Sequence, residues 1–304
     1  MTARVLGLRV DVDTHDGMRL GVPRLLEVMA AEGVAATFYL SMGPDRSGLA
    51  VLNAMRPGFL AKMTRTGAAR VYGWRTILSG TLLPSRPIAT AFPEIARRAR
   101  DEGHETGVHA WDHRKWQDRL LTFPPEKTAG ELDKGFRAYR SIFGEAPKTY
   151  AAPAWLTSDD ALVHEESFGL AYATDCRGTE PFLPVVRGRT LATPQVPATL
   201  PTLDEALGDT FHDAPSYFTA MVEEAARASW PVFTLHAELE GGPYDEDFRA
   251  FLRQARAAGL RCVPLGELLA ERRRQGDLPV CTMHHAPVRG RHGVLSTQGP
   301  CEAS

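Results

Sequence analysis

The stretch Leu8-Arg9-Val10-Asp11-Val12-Asp13-Thr14 is the starting point for both the fold and the chemistry of this chain. It ends a short apolar, β-branched run, residues 5–12, which predicts a buried strand. Because side chains two residues apart on a strand point to the same face, Asp11 and Asp13 project together. Two such carboxylates repel each other unless a cation or a proton lies between them. The pair therefore predicts a metal ligand, Asp13, beside a base, Asp11, although a solvated loop end or a capping pair would show the same spacing.

A second motif, Gly107-Val108-His109-Ala110-Trp111-Asp112-His113, follows about a hundred residues later. His109 and His113 can act as neighbouring ligands, and with Asp13 they form an Asp/His/His set that leaves open positions on a metal. The set suits one divalent ion among Zn, Mn, Co, Ni and Fe. Ala110 stands where the zincin motif has its glutamate, so that class is excluded. A structural histidine pair is the competing interpretation.

Hydrophobic periodicity alternates between strands and helices along most of the chain. We predict strands at residues 5–12, 34–40, 106–109, near 150, and at 171–174, 232–236 and 260–263. The predicted helices are residues 22–31, 93–102, 131–143, 159–168, 216–228 and 245–258. This alternation predicts an α/β fold with a parallel sheet and one barrel-like domain over residues 1–275. In such folds the chemistry lies at the carboxyl ends of the strands, where Asp11, Asp13, His109 and His236 all fall.

Two segments interrupt the alternation. The first, about residues 43–92, is an insertion after the second strand; from Arg46 to Pro93 it has seven basic residues and no Asp or Glu, with aromatic and leucine residues interleaved. A loop of this length is usually functional. The second, residues 276–304, is rich in Gly, Pro, His and Arg and is predicted to be irregular.

Composition limits the class of protein. The chain has 304 residues, of which 43% are hydrophobic and 24% charged, as in an ordinary soluble domain. No apolar run is long enough for a transmembrane helix, and the N-terminus lacks the pattern of a signal peptide, so we expect a cytoplasmic protein. The four cysteines form no CxxC and are expected to be reduced thiols. The net charge of −2, with the basic stretch isolated, disfavours nucleic acid as a partner.

Three further residues are candidates for the site. His236, at a strand end in Leu235-His236-Ala237-Glu238, could protonate a leaving amine, although a lone histidine is more often a satisfied core residue. Asp175 could hold His236 in one tautomer, or it could be a turn aspartate ahead of Gly178. Arg177 could bind an anionic substrate group, or it could form a surface ion pair.

These motifs together resemble the NodB-type polysaccharide deacetylases of the carbohydrate esterase 4 family. The resemblance rests on Asp11-Val12-Asp13, on residues 103–113 and on Leu235-His236. It implies a distorted (β/α)7 barrel that hydrolyses N-acyl sugars with one divalent metal. By this resemblance Asp11 is the general base, the ligands are Asp13, His109 and His113, and His236 is the general acid supported by Asp175.

A narrower resemblance extends over roughly residues 4–270, through segments such as Tyr72-Gly73-Trp74, Asp175-Cys176-Arg177-Gly178 and Leu200-Pro201-Thr202. It is to members of the family that remove a formyl group from an amino sugar carried on undecaprenyl phosphate, in lipid A modification and resistance to polymyxin and cationic peptides. A polysaccharide or peptidoglycan N-deacetylase, or a catalytically silent membrane-associated binding protein, is the alternative.

Two departures from the general family pattern affect the substrate. The third motif, Tyr150-Ala151-Ala152-Pro153-Ala154-Trp155, lacks the arginine that usually pairs with the base, and Val12 separates aspartates that are often adjacent. Arg9 or Arg177 can compensate for the missing arginine. Arg9, Arg177 and Glu238 are the further candidates for contacting substrate.

A lipid-linked substrate implies an enzyme that docks peripherally on the cytoplasmic face of the inner membrane. Basic residues interleaved with aromatic and leucine side chains suit an anionic interface. We therefore expect the insertion to face the membrane, although it could instead brace the barrel. The expected membrane-facing or lipid-facing residues are Arg56, Lys62, Arg65, Arg70, Trp74 and Arg75.

Overall fold

The computed structural model describes residues 4–48, 84–291 and 293–302. Its main sheet has seven strands, and every pairing within it is parallel. The strands are β1 (Arg4–Val12), β2 (Thr37–Ser41), β3 (Glu105–Ala110), β4 (Thr149–Tyr150), β5 (Tyr172–Ala173), β8 (Val232–His236) and β9 (Leu260–Val263). The predicted α/β class, parallel sheet and barrel-like curvature are confirmed.

The first strand, β1, is the centre of this sheet. It pairs with β2 and β8 along its carboxyl half and with β9 along its amino half, in the order β5-β4-β3-β2-β1-β8. Between β5 and β8 the described chain has no regular strand pairing; residues 194–200 span the gap, bonded to Ala173 on one side and to Val232 on the other. This irregular closure distorts the barrel.

Helices follow the strands and bury their apolar faces against the sheet. The first helix, α1, comprises Val22–Glu32. It has a proline in its opening turn and ends at Gly33, whose φ of 65° is the left-handed conformation that favours glycine. The later helices are α2 (Pro93–Asp101), α3 (His113–Arg119), α4 (Pro125–Phe143), α5 (Asp159–Glu166), α6 (Leu203–Ala206), α7 (Ala214–Arg227), α8 (Asp245–Ala257) and α9 (Leu265–Arg274). The six predicted helices are confirmed, while α3, α6 and α9 were not predicted.

The C-terminal segment forms regular structure, which corrects the prediction of an irregular tail. Strands β10 (Val280–Ala286) and β11 (Leu295–Cys301) pair as an antiparallel hairpin. The hairpin joins β6 (Leu183–Val186) and β7 (Arg189–Thr190) in a second, four-stranded sheet. The prediction failed because β10 pairs with β6, almost a hundred residues earlier, so its partner is invisible to local periodicity.

The cysteines also differ from expectation. Cys281 and Cys301 form a disulfide, while Cys176 and Cys262 are free thiols. The antiparallel register of β10 and β11 places Cys281 directly opposite Cys301, although they are 20 residues apart in sequence. The expectation of four reduced thiols is therefore wrong for this pair.

Most of the predicted insertion lies outside the described residues. Its two ends are described, and an isolated bridge between Pro44 and Pro87 holds them together. Among the described helices, none has the length and apolar character needed to cross a bilayer. The membrane-facing candidates all lie outside the described residues; these are Arg56, Lys62, Arg65, Arg70, Trp74 and Arg75.

Candidate metal centre and active site

Three side chains converge at the carboxyl ends of β1 and β3. Asp13 follows the last residue of β1, His109 lies on β3, and His113 is the first residue of α3. One ligand atom from each lies within 4.8 Å of the other two. The Nε2 atom of His109 is 3.2 Å from Asp13 Oδ1, and that of His113 is 3.4 Å from Asp13 Oδ2. The structure thus brings together the three residues that the sequence analysis selected as ligands.

Local structure explains how His113 reaches this position. Asp112 is the N-cap of α3, where its side chain accepts a hydrogen bond from the backbone amide of Lys115 at 3.0 Å. Arg46 holds the same carboxylate through an ion pair at 3.0 Å. The cap starts the helix immediately after β3, so that His109 and His113 face each other with ring centroids 5.0 Å apart.

The orientation of His109 favours binding of a cation. Its Nδ1 lies 2.8 Å from the carbonyl oxygen of Ala151, so Nδ1 carries the proton and Nε2 presents a lone pair. Asp13 Oδ1, also an acceptor, is 3.2 Å away, and both atoms are buried without a hydrogen-bond donor among the described residues. Two buried acceptors at this distance are unfavourable by themselves, and a cation between them would satisfy both.

The charge state of the trio suits the same role. Burial raises the pKa of Asp13, but His113 and His109 outweigh it and hold that pKa well below its usual range. Burial lowers the pKa of His113 to about 4. Near neutral pH the site therefore presents one carboxylate and a neutral His113, the forms that bind a divalent metal.

Asp11 is held by a fully buried arginine. The Nε and Nη2 atoms of Arg9 donate to the two oxygens of Asp11 at 2.7 and 2.8 Å, and Nη1 donates to the carbonyl oxygen of Thr174 at 2.8 Å. The Arg9 guanidinium also lies 5.0 Å from the ring of Trp155. Burial raises the pKa of Asp11, but Arg9 and then His109 outweigh it, so that pKa lies below the ordinary value.

This bidentate pair bears on the two roles that the sequence analysis considered for Arg9, namely contact with substrate and pairing with the base. The sequence predicts that Arg9 contacts substrate. The Arg9 side chain is 0% exposed, so it has no surface for that contact. Arg9 instead pairs with Asp11, the pairing that the sequence analysis expected either Arg9 or Arg177 to provide in place of the third-motif arginine. Asp11 Oδ2 remains 3.7 Å from His109 Nε2, which puts the carboxylate beside the ligand trio.

His236 completes the group from the neighbouring strand. It ends β8 directly opposite Asp11 in the parallel register, and its Nε2 lies 4.0 Å from Asp13 Oδ2. Its Nδ1 faces Asp204 Oδ1 at 3.8 Å. Burial lowers the pKa of His236, but Asp204 and then Asp13 outweigh it and raise the pKa to about 9.

The expected partner of His236, Asp175, is engaged elsewhere. Asp175 accepts hydrogen bonds from the Ala152 amide at 2.8 Å and from Gln195 Nε2 at 2.7 Å. The carboxylate that faces His236 is instead Asp204, on the short helix α6. Sequence reasoning missed Asp204 because α6 is a four-residue helix that lies outside the predicted alternation of strands and helices. The capping box that starts α6, Thr202 with Glu205, is the signal that could have located this segment.

The two other predicted substrate contacts are only partly accessible. Arg177 is 9% exposed, and its guanidinium already donates to Glu205 at 3.1 Å and to the carbonyl oxygen of Leu200 at 2.8 Å. Arg177 therefore forms an ion pair with Glu205, but the pair is buried and does not lie on the surface as the alternative interpretation had it. Glu238 is half-buried, and burial, followed by the charge of Asp13, raises its pKa well above the usual range. Its contact with substrate stays a prediction.

Comparison with known proteins places this geometry in a family. Residues 12–173 match the model of the polysaccharide deacetylase family. A protein of Shewanella sediminis (strain HAW-EB3), named "Probable 4-deoxy-4-formamido-L-arabinose-phosphoundecaprenol deformylase ArnD", is 37% identical over 96% of this chain and 94% of its own length. A protein of the same name from Wigglesworthia glossinidia brevipalpis is 30% identical over 93% of this chain and 98% of its own.

Solved structures agree on the fold. A Mycobacterium smegmatis protein described as a polysaccharide deacetylase superposes with a TM-score of 0.62 at 16% identity, over 90% of this chain and 91% of its own. A family 4 acetyl xylan esterase from Clostridium thermocellum, solved in complex with a cobalt ion, gives a TM-score of 0.53 at 16% identity, over 88% of this chain and 91% of its own. At these identities the likeness concerns the fold alone.

Proposed function

The chain belongs to the polysaccharide deacetylase family, and we propose that it is a metal-dependent deformylase acting on 4-deoxy-4-formamido-L-arabinose carried on undecaprenyl phosphate. The observation that supports the hydrolytic part is the convergence of three side chains that could hold a cation, an arginine-paired carboxylate and a histidine at one edge of the sheet. The substrate is supported by the two relatives, whose similarity covers nearly the whole chain.

Asp13, His109 and His113 would hold the divalent ion. When bound, the ion supplies a Lewis acid that polarises a carbonyl and lowers the pKa of water. A mixed oxygen and nitrogen donor set suits Zn, Mn, Co, Ni or Fe. The two donor-free acceptors, Asp13 Oδ1 and His109 Nε2, support this assignment.

The remaining groups move protons. Asp11 accepts a proton from the attacking water as the new C–O bond forms at the formyl carbon, and Arg9 keeps its carboxylate oriented. His236 donates a proton to the sugar nitrogen as the C–N bond breaks. The products are formate and a sugar lipid with a free 4-amino group, which carries an added positive charge. Such a product fits lipid A modification and resistance to polymyxin and cationic peptides.

Incubation of the purified protein with the formamido sugar lipid tests this proposal. We expect the lipid to lose one carbonyl unit in mass, with release of formate, and we expect a chelator to stop the reaction until a divalent metal is returned. Mass spectrometry of the lipid is the measurement. Hydrolysis of soluble N-acetyl sugars but not of this lipid would favour the N-deacetylase alternative, and metal binding without either reaction would favour a silent binding protein.

We further propose that the protein works at the cytoplasmic face of the inner membrane, docked through the basic and aromatic insertion. Support comes from the composition of that segment and from a lipid-linked substrate that stays in the bilayer. Each basic residue near an anionic surface contributes about 1 kcal/mol. Loss of most of the sedimentation with anionic liposomes is expected when five insertion residues are changed to Gln; these are Arg56, Lys62, Arg65, Arg70 and Arg75.

A control for this experiment neutralises the same number of exposed arginines elsewhere. Unchanged sedimentation is expected for that variant, and equal losses in both would indicate non-specific charge attraction. If the insertion variant also sediments normally, the insertion braces the barrel instead. The control residues are Arg187, Arg189, Arg227, Arg274 and Arg289, all with more than half of the side chain exposed.

A further inference from the structure

The C-terminal hairpin packs against the candidate active site. Ser296 of β11 bonds through its carbonyl oxygen to the Arg177 amide at 2.9 Å and through its hydroxyl to the Thr157 amide at 2.9 Å. His285 of β10 bonds to the Thr157 carbonyl oxygen at 2.9 Å, and Leu295 packs with Trp155. These contacts hold the hairpin beside the aromatic ring that also covers Arg9.

Arg291, in the turn segment after β10, reaches from the hairpin to α6. Its Nε donates to Glu205 Oε1 at 2.6 Å, and its Nη2 donates to Thr202 Oγ1 at 3.3 Å. Its Nη1 lies 3.4 Å from Asp204 Oδ2, and the guanidinium stacks 4.8 Å from the Trp155 ring. The Arg291 side chain is only 18% exposed, so these contacts are largely shielded from solvent.

The backbone of this turn is built for a close approach. Gly290 has a φ of 83°, and a methyl group on it would lie 2.5 Å from the carbonyl oxygen of Glu205. Only glycine accommodates both the conformation and the distance. The approach brings the next residue, Arg291, onto the carboxylates of α6.

The two carboxylate oxygens of Asp204 have different neighbours. Its Oδ2 faces Arg291, while its Oδ1 accepts from the Thr202 hydroxyl at 2.6 Å and faces His236 Nδ1 at 3.8 Å. Burial raises the pKa of Asp204, but Arg291 and then His236 outweigh it and lower the pKa to about 2. Asp204, whose side chain is 32% exposed, would lose its strongest compensating charge without Arg291.

We propose that Arg291, delivered by the C-terminal hairpin, is a positioning residue that holds Asp204 against the imidazole of His236 and so completes the active site. Arg291 contacts none of the atoms that react in the proposed hydrolysis. It orients and keeps ionised the carboxylate that faces Nδ1, which leaves Nε2 of His236 directed at the ligand trio. The kinetic consequence of this inference rests on the proposed function.

The kinetic test compares Arg291→Gln with Arg289→Gln in the metal-loaded full-length protein. Arg289 lies in the same turn, but its side chain is 78% exposed and pairs with Asp209 on the surface. We expect Arg291→Gln to lower kcat roughly 10- to 100-fold, the scale on which groups that orient a functional histidine act, with little change in KM. Arg291→Lys is expected to restore part of the loss, and Arg289→Gln to behave as wild type.

A double-substitution cycle separates positioning from bracing. If Arg291 acts through Asp204, adding Arg291→Gln to Asp204→Asn should lower kcat less than about twofold further, because the two residues form one coupled unit. A bracing role predicts losses that multiply and that follow thermal stability. Multiplicative losses, or an Arg291→Gln variant within twofold of wild type, would overturn the inference.

A second test measures the NMR signals of the His236 ring nitrogens and needs no substrate. In the zinc-loaded, ¹⁵N-labelled protein, the ring nitrogen signals of His236 are assigned by their absence in His236→Gln. These signals should shift in Arg291→Gln and in Asp204→Asn, and stay in place in Arg289→Gln. Unchanged His236 signals in Arg291→Gln would refute the positioning role. Wild-type protein inactive on the sugar lipid would contradict only the proposed function, and the spectra would still decide this inference.

Discussion

The variant His109→Ala is expected to lose its bound divalent metal and its hydrolytic activity together. His109 supplies a buried Nε2 lone pair oriented by the bond of Nδ1 to Ala151, and alanine has no donor atom to take its place. A catalytic ion contributes several kcal/mol of transition-state stabilisation, so activity should fall about 10³-fold or more. Metal content by elemental analysis and turnover by mass spectrometry are measured on the same preparations.

His164→Ala is the matched control for this prediction. His164 lies on α5 and pairs with Asp133 at 3.0 Å, away from the trio. Its removal should leave metal content and turnover unchanged, which excludes a general effect of losing a histidine. Equal metal content in wild type and His109→Ala would remove His109 from the ligand set.

The second large effect is expected for Arg9→Met, which should lower both stability and activity. Arg9 and Asp11 form a bidentate ion pair with side chains 0% and 3% exposed. Removal of one partner from a buried pair leaves an uncompensated charge and costs about 3–5 kcal/mol of the free energy of unfolding. Turnover should fall by at least about 10²-fold, because the base loses the group that orients it. Urea denaturation measures the first quantity, and the deformylation assay the second.

A second variant distinguishes these two effects. Arg9→Met combined with Asp11→Asn removes both charges, and it should recover part of the lost stability but none of the activity. Arg24→Met serves as the surface control, since Arg24 is 42% exposed in its pair with Asp245 and should cost less than about 1 kcal/mol. Should Arg9→Met destabilise the protein no more than Arg24→Met, the buried pair would contribute no more to stability than a surface pair.

Much of the site could be predicted because it depends on local periodicity. Asp11 and Asp13 share a strand face by simple alternation, and Arg9 lies on the same face. The sequence left open whether Arg9 or Arg177 compensates for the missing arginine. Parallel strands place their carboxyl ends at one edge, so His109 and His236 could be expected near those aspartates although they are distant in sequence. His113 followed from its spacing after His109.

The groups around His236 could not be predicted in this way. Asp175 lies just after β5 and Asp204 lies on the short helix α6, and only packing decides which carboxylate turns towards the imidazole. Asp175 accepts hydrogen bonds from the Ala152 amide and from Gln195, and the carboxylate that faces His236 Nδ1 is that of Asp204. Arg291 was hidden for the same reason, in a tail whose composition is typical of irregular structure.

The amino-acid sequence by itself determined the alternation of strands and helices and the face on which Arg9, Asp11 and Asp13 lie, and it selected His109 and His113 as candidate ligands. These features follow from strand alternation and hydrophobic periodicity, which act over a few residues, and from the general rule that parallel strands end at one edge of a sheet. Only the tertiary structure decided that Asp204 faces His236, that β10 pairs with β6, and that Cys281 meets Cys301. Those contacts join segments that are distant along the chain, and their free energy comes from burial and charge pairing that exist only after the barrel has formed.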